Sequence, residues 1–123
     1  MRGFGELEAA IMSVLWDRAE PATVREVLED LRPGRDLAYN TVLTVVDILY
    51  KKGWLERSRE GRAFRYTPNA SRSDYGARLM RDAMSESGDP VGSLAGFVQR
   101  LSVEESAALR AALEAFAGDE ERS

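Results

Sequence analysis

The feature that most constrains this chain is a change of period at Gly53. Before it, Val42, Val45, Val46 and Leu49 recur at i, i+3, i+4 and i+7, which predicts a helix from about Ala38 to Lys52 with Gly53 as its C-terminal stop. After it, Trp54 to Arg59 and Ala63 to Thr67 read as two short strands, and Glu60, Gly61 and Arg62 between them make a compact hairpin turn.

Two more helices precede that stripe. Leu7, Ile11, Val14 and Leu15 give an amphipathic helix over Glu6 to Arg18, with Met12 and Trp16 widening its apolar face. Glu20, Pro21 and Ala22 break the pattern. Thr23, with Glu26 three residues on, is a capping box that opens a second helix through Val24, Val27, Leu28 and Leu31, and Arg32, Pro33 and Gly34 stop it. Three helices, the last two joined by a short Pro/Gly turn, follow the order of a helix-turn-helix, and a hairpin placed directly behind the third is the wing of a winged helix.

Beyond Pro68, Asn69 and Ala70 the pattern is helical again. Ser71 with Asp74 caps a helix from about Arg72 to Met84, and Ser85 to Pro90 reads as a polar loop. Val91 to Leu101 forms a short helix, and Ser102 with Glu105 opens a last one, which Gly118 is expected to end before Asp119 to Ser123 fray. The expected fold is mainly α with a small β hairpin: a winged-helix DNA-binding domain over residues 1–70, followed by a helical dimerisation domain over residues 71–123.

At 123 residues the chain is long enough for one folding unit plus an annex, and 44% apolar and 31% charged residues are ordinary for a globular protein. With neither cysteine nor histidine it lacks a disulfide framework, a thiolate, the commonest metal ligand and the usual base near neutral pH. No cofactor or metal site is expected, and no carboxylate sits in a catalytic constellation, so an enzyme is not expected either. The apolar runs fall short of the roughly 18 to 20 residues that span a bilayer, so no membrane insertion and a cytoplasmic location are expected.

The net charge of −4 is unevenly spread. The first 68 residues balance, the acidity lies beyond them, and between Arg35 and Arg65 basic side chains outnumber acidic ones. On the third helix Asn40, Thr44, Asp47 and Lys51 lie opposite the valine stripe, with Thr41 and Leu43 on the flanks. This face suits the DNA major groove. Asparagine pairs with adenine, threonine reaches base edges or the thymine methyl, Leu43 packs on that methyl, and Lys51 and Lys52 meet phosphate. Asp47 would repel phosphate or accept from cytosine, and stays unassigned. Arg62 at the wing tip and Arg65 on its second strand suit phosphate or the minor groove. Trp16, Trp54, Phe64 and Tyr66 are expected in the core rather than as a stacking platform. Leu79, Met80, Leu94, Phe97, Val98, Leu101, Leu109, Leu113 and Phe116 are too many for three short helices to hide, which predicts a second copy of the chain as their cover. A homodimer would read half-sites about one helical turn apart on double-stranded DNA.

These residues resemble the BlaI/MecI family of β-lactamase repressors, winged-helix proteins that dimerise through C-terminal helices. The resemblance rests on Gly5-Glu6-Leu7-Glu8 through Val14-Leu15-Trp16, on Thr23 to Val27, on Leu37 to Val45 running into Lys51-Lys52-Gly53, on Phe64 to Pro68, and on Phe97-Val98 with Leu101 to Leu113. It implies a TACA/TGTA-type operator read by Ala38, Tyr39, Asn40, Thr41, Leu43 and Thr44, and repression of genes answering cell-wall antibiotics or envelope stress. It also implies release when a membrane sensor metalloprotease system triggers cleavage before a phenylalanine, often in an Asn-Phe pair. Here Gly96-Phe97 stands at that place. The related copper-responsive branch uses a C-terminal cysteine cluster that this chain lacks. Two other readings are a winged helix that docks on protein alone, and a repressor with a small apolar effector between its C-terminal helices.

Overall fold

The structure, a computed structural model, describes residues 3–122, with side chains placed through Gly118. The elements are α1 (Glu6–Asp17), α2 (Val24–Leu31), a 3-10 turn (Arg32–Gly34), α3 (Tyr39–Lys51), β1 (Leu55–Glu60), β2 (Ala63–Pro68), α4 (Arg72–Ser87), α5 (Pro90–Gln99) and α6 (Val103–Arg122). This is the winged helix-turn-helix read from the sequence, mainly helical with one antiparallel hairpin. The chain divides into two compact units, Met1–Met80 and Arg81–Ser123.

The first unit is built on the predicted stripes. Ile11, Met12 and Leu15 of α1, Val24, Val27, Leu28 and Leu31 of α2, and Val42, Val46 and Leu49 of α3 are buried together with Trp54, Leu55 and Tyr66. Each helix therefore commits one face to a common core, which stabilises it by about 1.5 to 3 kcal/mol per large apolar side chain. Two turns carry the conformations that glycine makes cheap. Gly53 ends α3 at φ 89° and Gly61 turns the hairpin at φ 63°. The hairpin register runs from Leu55 opposite Pro68 to Glu60 opposite Ala63.

Ala22, which the sequence shows only as part of a break, is an element of the sheet. It forms a β-bridge with Tyr66, its N–H donating to the Tyr66 carbonyl at 3.0 Å and the Tyr66 N–H donating back at 2.8 Å. The first unit also reaches ten residues past the boundary expected near residue 70. Aromatic packing explains this. Tyr75 of α4 stacks on Phe4 at 4.2 Å between ring centroids, Trp54 meets both edge-on at 5.0 and 5.3 Å, and the Phe4 N–H donates to the Tyr75 hydroxyl at 2.7 Å. Trp16 is half-buried, and its indole N–H donates to the Ala70 carbonyl at 2.9 Å.

In the second unit two expectations fail. α4 runs through Ser87, leaving Gly88 and Asp89 as the whole connection to α5, because a polar Ser-Glu-Ser run continues a helix until Gly88 turns it at φ 75°. α6 passes through Gly118 to Arg122, since one glycine among alanine and glutamate costs a helix only about 1 kcal/mol. Ser123 lies outside the described residues. The predicted caps are present: Ser102 Oγ accepts from the Glu105 N–H at 3.1 Å while Glu105 accepts from the Ser102 N–H at 2.9 Å, and Ser71 with Asp74 does the same for α4. Among the described residues, none from 81 to 118 is buried.

Candidate nucleic-acid interface

Ala38 caps α3 from extended backbone, so the helix begins at Tyr39 and points its first turns away from the core. Val42, Val46 and Leu49 face inward, which leaves Asn40, Thr41, Leu43, Thr44 and Lys51 exposed as one outward row. The Asn40 side-chain amide makes no hydrogen bond among the described residues, so both its donor and its acceptor are free. Thr44 is more committed. Its hydroxyl donates to the Asn40 carbonyl at 2.9 Å, so outward it offers lone pairs and a methyl group. Tyr39 lies under the Arg25 guanidinium, 5.1 Å from ring centroid to carbon.

The wing stands beside this row. A cleft of about 420 Å³ between α2, α3 and the hairpin is lined by Arg25, Tyr39, Leu43, Arg62 and Phe64 among others. Arg62 at the wing tip is exposed and without an ion pair among the described residues. Arg62 on the wing therefore shares this concavity with Tyr39 and Leu43 of α3, while Asn40 and Thr44 are exposed on the same helix outside the cleft lining.

Two lysine and arginine positions singled out in the sequence are not in that row. Lys52 turns to α1 and pairs with Glu8 at 3.1 Å. Arg65 is a strut: it pairs with Glu60, with Glu26 at 3.0 Å, and donates to the Pro21 carbonyl at 3.1 Å. Apart from Glu60 across the hairpin, the partners Glu8, Pro21 and Glu26 lie far off in the chain, beyond what sequence pattern reveals. Asp47, unassigned before, holds Lys51 at 2.9 Å and approaches Arg57 at 4.0 Å. Arg57, which sequence reasoning missed, lies between the rings of Tyr50 and Phe64 at 4.0 and 4.1 Å and so ties α3 to the wing.

Glu26 links the wing to α2. It accepts from the Thr23 N–H at 2.9 Å and from Arg65, and its own N–H donates to Thr23 Oγ1 at 3.2 Å. The Thr23 backbone hydrogen bond foremost, then its hydroxyl and the charges of Arg65 and Arg18, hold the Glu26 carboxyl below its ordinary value of 4.5. A lowered folded pKa adds stability that is fully present above that ordinary value and is lost as pH falls through the folded one. Glu26→Gln should therefore flatten the fall in thermal midpoint on acidification from about pH 5 to 3 relative to wild type, measured by circular dichroism.

No described helix is long and apolar enough to cross a membrane, and no cluster of metal-ligating side chains occurs among the described residues.

Residues 4–115 match the penicillinase repressor family. The transcriptional regulator BlaI of Mycobacterium tuberculosis is 46% identical over 112 residues, covering 89% of this chain and 81% of that protein. The penicillinase repressor of Bacillus licheniformis is 37% identical over 70 residues, 57% of this chain and 54% of the relative. Among solved structures, the DNA-binding domain of the repressor BlaI has a TM-score of 0.53 at 35% identity, covering 58% of this chain and 87% of that one. The Bacillus licheniformis BlaI monomer in complex with the blaP half-operator has a TM-score of 0.50 at 34% identity, covering 60% and 89%. A match over nearly the whole length, together with a winged helix that turns an exposed polar row outward, establishes that the chain belongs to the penicillinase repressor (BlaI/MecI) family of DNA-binding transcriptional repressors, not to a class of enzymes.

Proposed function

We propose that this protein is a homodimeric repressor that reads a TACA/TGTA-type pseudo-palindrome with α3 and controls genes answering β-lactams or envelope stress. The observation that carries the reading is that α3 exposes Asn40 and Thr44 while its Tyr39 and Leu43 share a cleft with the exposed Arg62 of the wing. Asn40 is the adenine reader. Thr44, with its proton committed, accepts from a base amino group or packs its methyl on thymine, and Leu43 and Tyr39 line the approach. Ala38 and Thr41 are exposed at the start of the same helix, and Lys51 and Arg62 meet phosphate. Lys52 and Arg65 serve instead as braces that orient α3 and the wing.

The second unit supports the homodimer. Leu94, Phe97, Val98, Leu113 and Phe116 are 43 to 62% exposed, which is costly for an isolated chain and ordinary for a helical interface. Leu101, between α5 and α6, and Leu109 on α6 add to that unit's apolar set, and Leu79 and Met80, on the first unit's part of α4, complete the proposed interface residues. Release through a membrane sensor metalloprotease system would act at Gly96-Phe97, which lies inside α5, so that helix must unwind before the bond can be cut.

The test is selection of bound sequences from random duplex DNA, followed by titration of variants. Asn40→Ala should relax preference at single base positions by about 1–3 kcal/mol, whereas Arg62→Ala should weaken all duplexes alike and reduce the salt slope by about one. A protein that only docks on other proteins would select no sequence and show no salt-dependent duplex affinity.

A further inference from the structure

We propose that Asp47 is a specificity-determining residue that weakens the hold of the protein on duplexes of the wrong sequence; this deepens, and rests on, the DNA-binding reading above. Asp47 comes seven residues after Asn40, a spacing that returns to within about 20° of the same direction on a helix. It is the one carboxylate of the outward row of α3, and its side chain is 39% exposed. Its two oxygens face different cations: Oδ2 lies 2.9 Å from the Lys51 ammonium and Oδ1 lies 4.0 Å from the Arg57 guanidinium. Arg57 is itself fixed between Tyr50 and Phe64, so it cannot swing toward a phosphate without leaving two rings.

The chemistry of a carboxylate in a major groove is one-sided. It only accepts, and the groove offers it donors solely from the amino groups of cytosine and adenine. Opposite guanine, thymine or a phosphate oxygen it meets acceptors alone and loses its water without replacement. It also pairs with Lys51 at 2.9 Å, so the pull of that ammonium on a phosphate is weaker than that of an unpaired lysine. Complexes that depend on phosphate contacts are weakened most, and those are the non-specific ones. A sequence that places an amino group within reach of Asp47 escapes the penalty. The residue thus discriminates by repelling wrong partners as well as by fitting the right one.

The experiment uses the full chain and fluorescence anisotropy with two labelled duplexes of equal length, the selected sequence and a random one, over about 50 to 300 mM salt. Asp47→Asn should bind the random duplex about tenfold tighter, steepen its salt slope by about one, and narrow the preference for the selected duplex by a similar factor. Asp47→Glu, which keeps the charge, should retain the wild-type preference. Random-duplex affinity that is unchanged or lower in Asp47→Asn overturns the inference while leaving the DNA-binding reading intact, as does a loss confined to the selected duplex. Wild-type protein that binds neither duplex overturns both.

Discussion

Trp54→Ala is expected to remove most of the stability of the first unit, about 3–5 kcal/mol, because it takes the more buried of two tryptophans out of a junction where four segments meet. The indole is 7% exposed, touches Phe4 and Tyr75 edge-on, and lies under the Arg78 guanidinium at 4.9 Å. Its backbone closes the same corner: the Trp54 N–H donates to the Leu49 carbonyl at 3.0 Å and its carbonyl accepts from the Asn69 N–H at 2.9 Å. Alanine keeps those two hydrogen bonds and loses the ring contacts, leaving a cavity that neighbouring helices cannot close. For a unit of this size the loss corresponds to a fall in thermal midpoint of about 15 to 30 °C by circular dichroism. Trp54→Phe should recover more than half of it. A midpoint within a few degrees of wild type for the alanine variant would show that Phe4 and Tyr75 refill the space.

The second large effect concerns association. Phe97→Asp puts a charge on the exposed apolar face of α5, where it costs the isolated chain little because the ring is 43% exposed. If that face pairs two copies, sedimentation should show the mass halved. Affinity for the full operator should drop by about a hundredfold or more, since each head then binds without the effective concentration its tethered partner supplies. Affinity for a single half-site should stay as in wild type. A variant that remains dimeric would move the interface away from α5, and wild-type protein that sediments as a monomer would end the homodimer proposal.

What could be read from the sequence follows from how far apart the interacting residues lie. The three inward stripes, the capping boxes at Thr23, Ser71 and Ser102, and the glycines at 53 and 61 are all local signals, spaced within one or two turns, and each appears in the fold where the pattern puts it. The outward row of α3 was legible for the same reason, being the complement of its buried stripe. The Ala22 bridge to Tyr66 was not, because a single pairing residue has no period. Nor were the long-range partners of Lys52 and Arg65, Glu8 on α1 and Glu26 on α2, which hold both cations in ion pairs. The sequence does not show that Asp47 has Arg57 beside it, because Arg57 is placed by one ring from α3, Tyr50, and one from β2, Phe64. The ends of α4 and α6 were misread because polarity and a lone glycine imitate a loop.

The Ala22 bridge has a mechanical consequence. β2 is hydrogen-bonded along one edge to β1 and at Tyr66 along the other to the segment between α1 and α2, so its base is sewn on both sides. Little of the hairpin is then left to bend on its own. Adjustment to a surface of varying width falls to the few residues around Gly61, and the remainder of the head arrives as a rigid caliper whose jaw is already set.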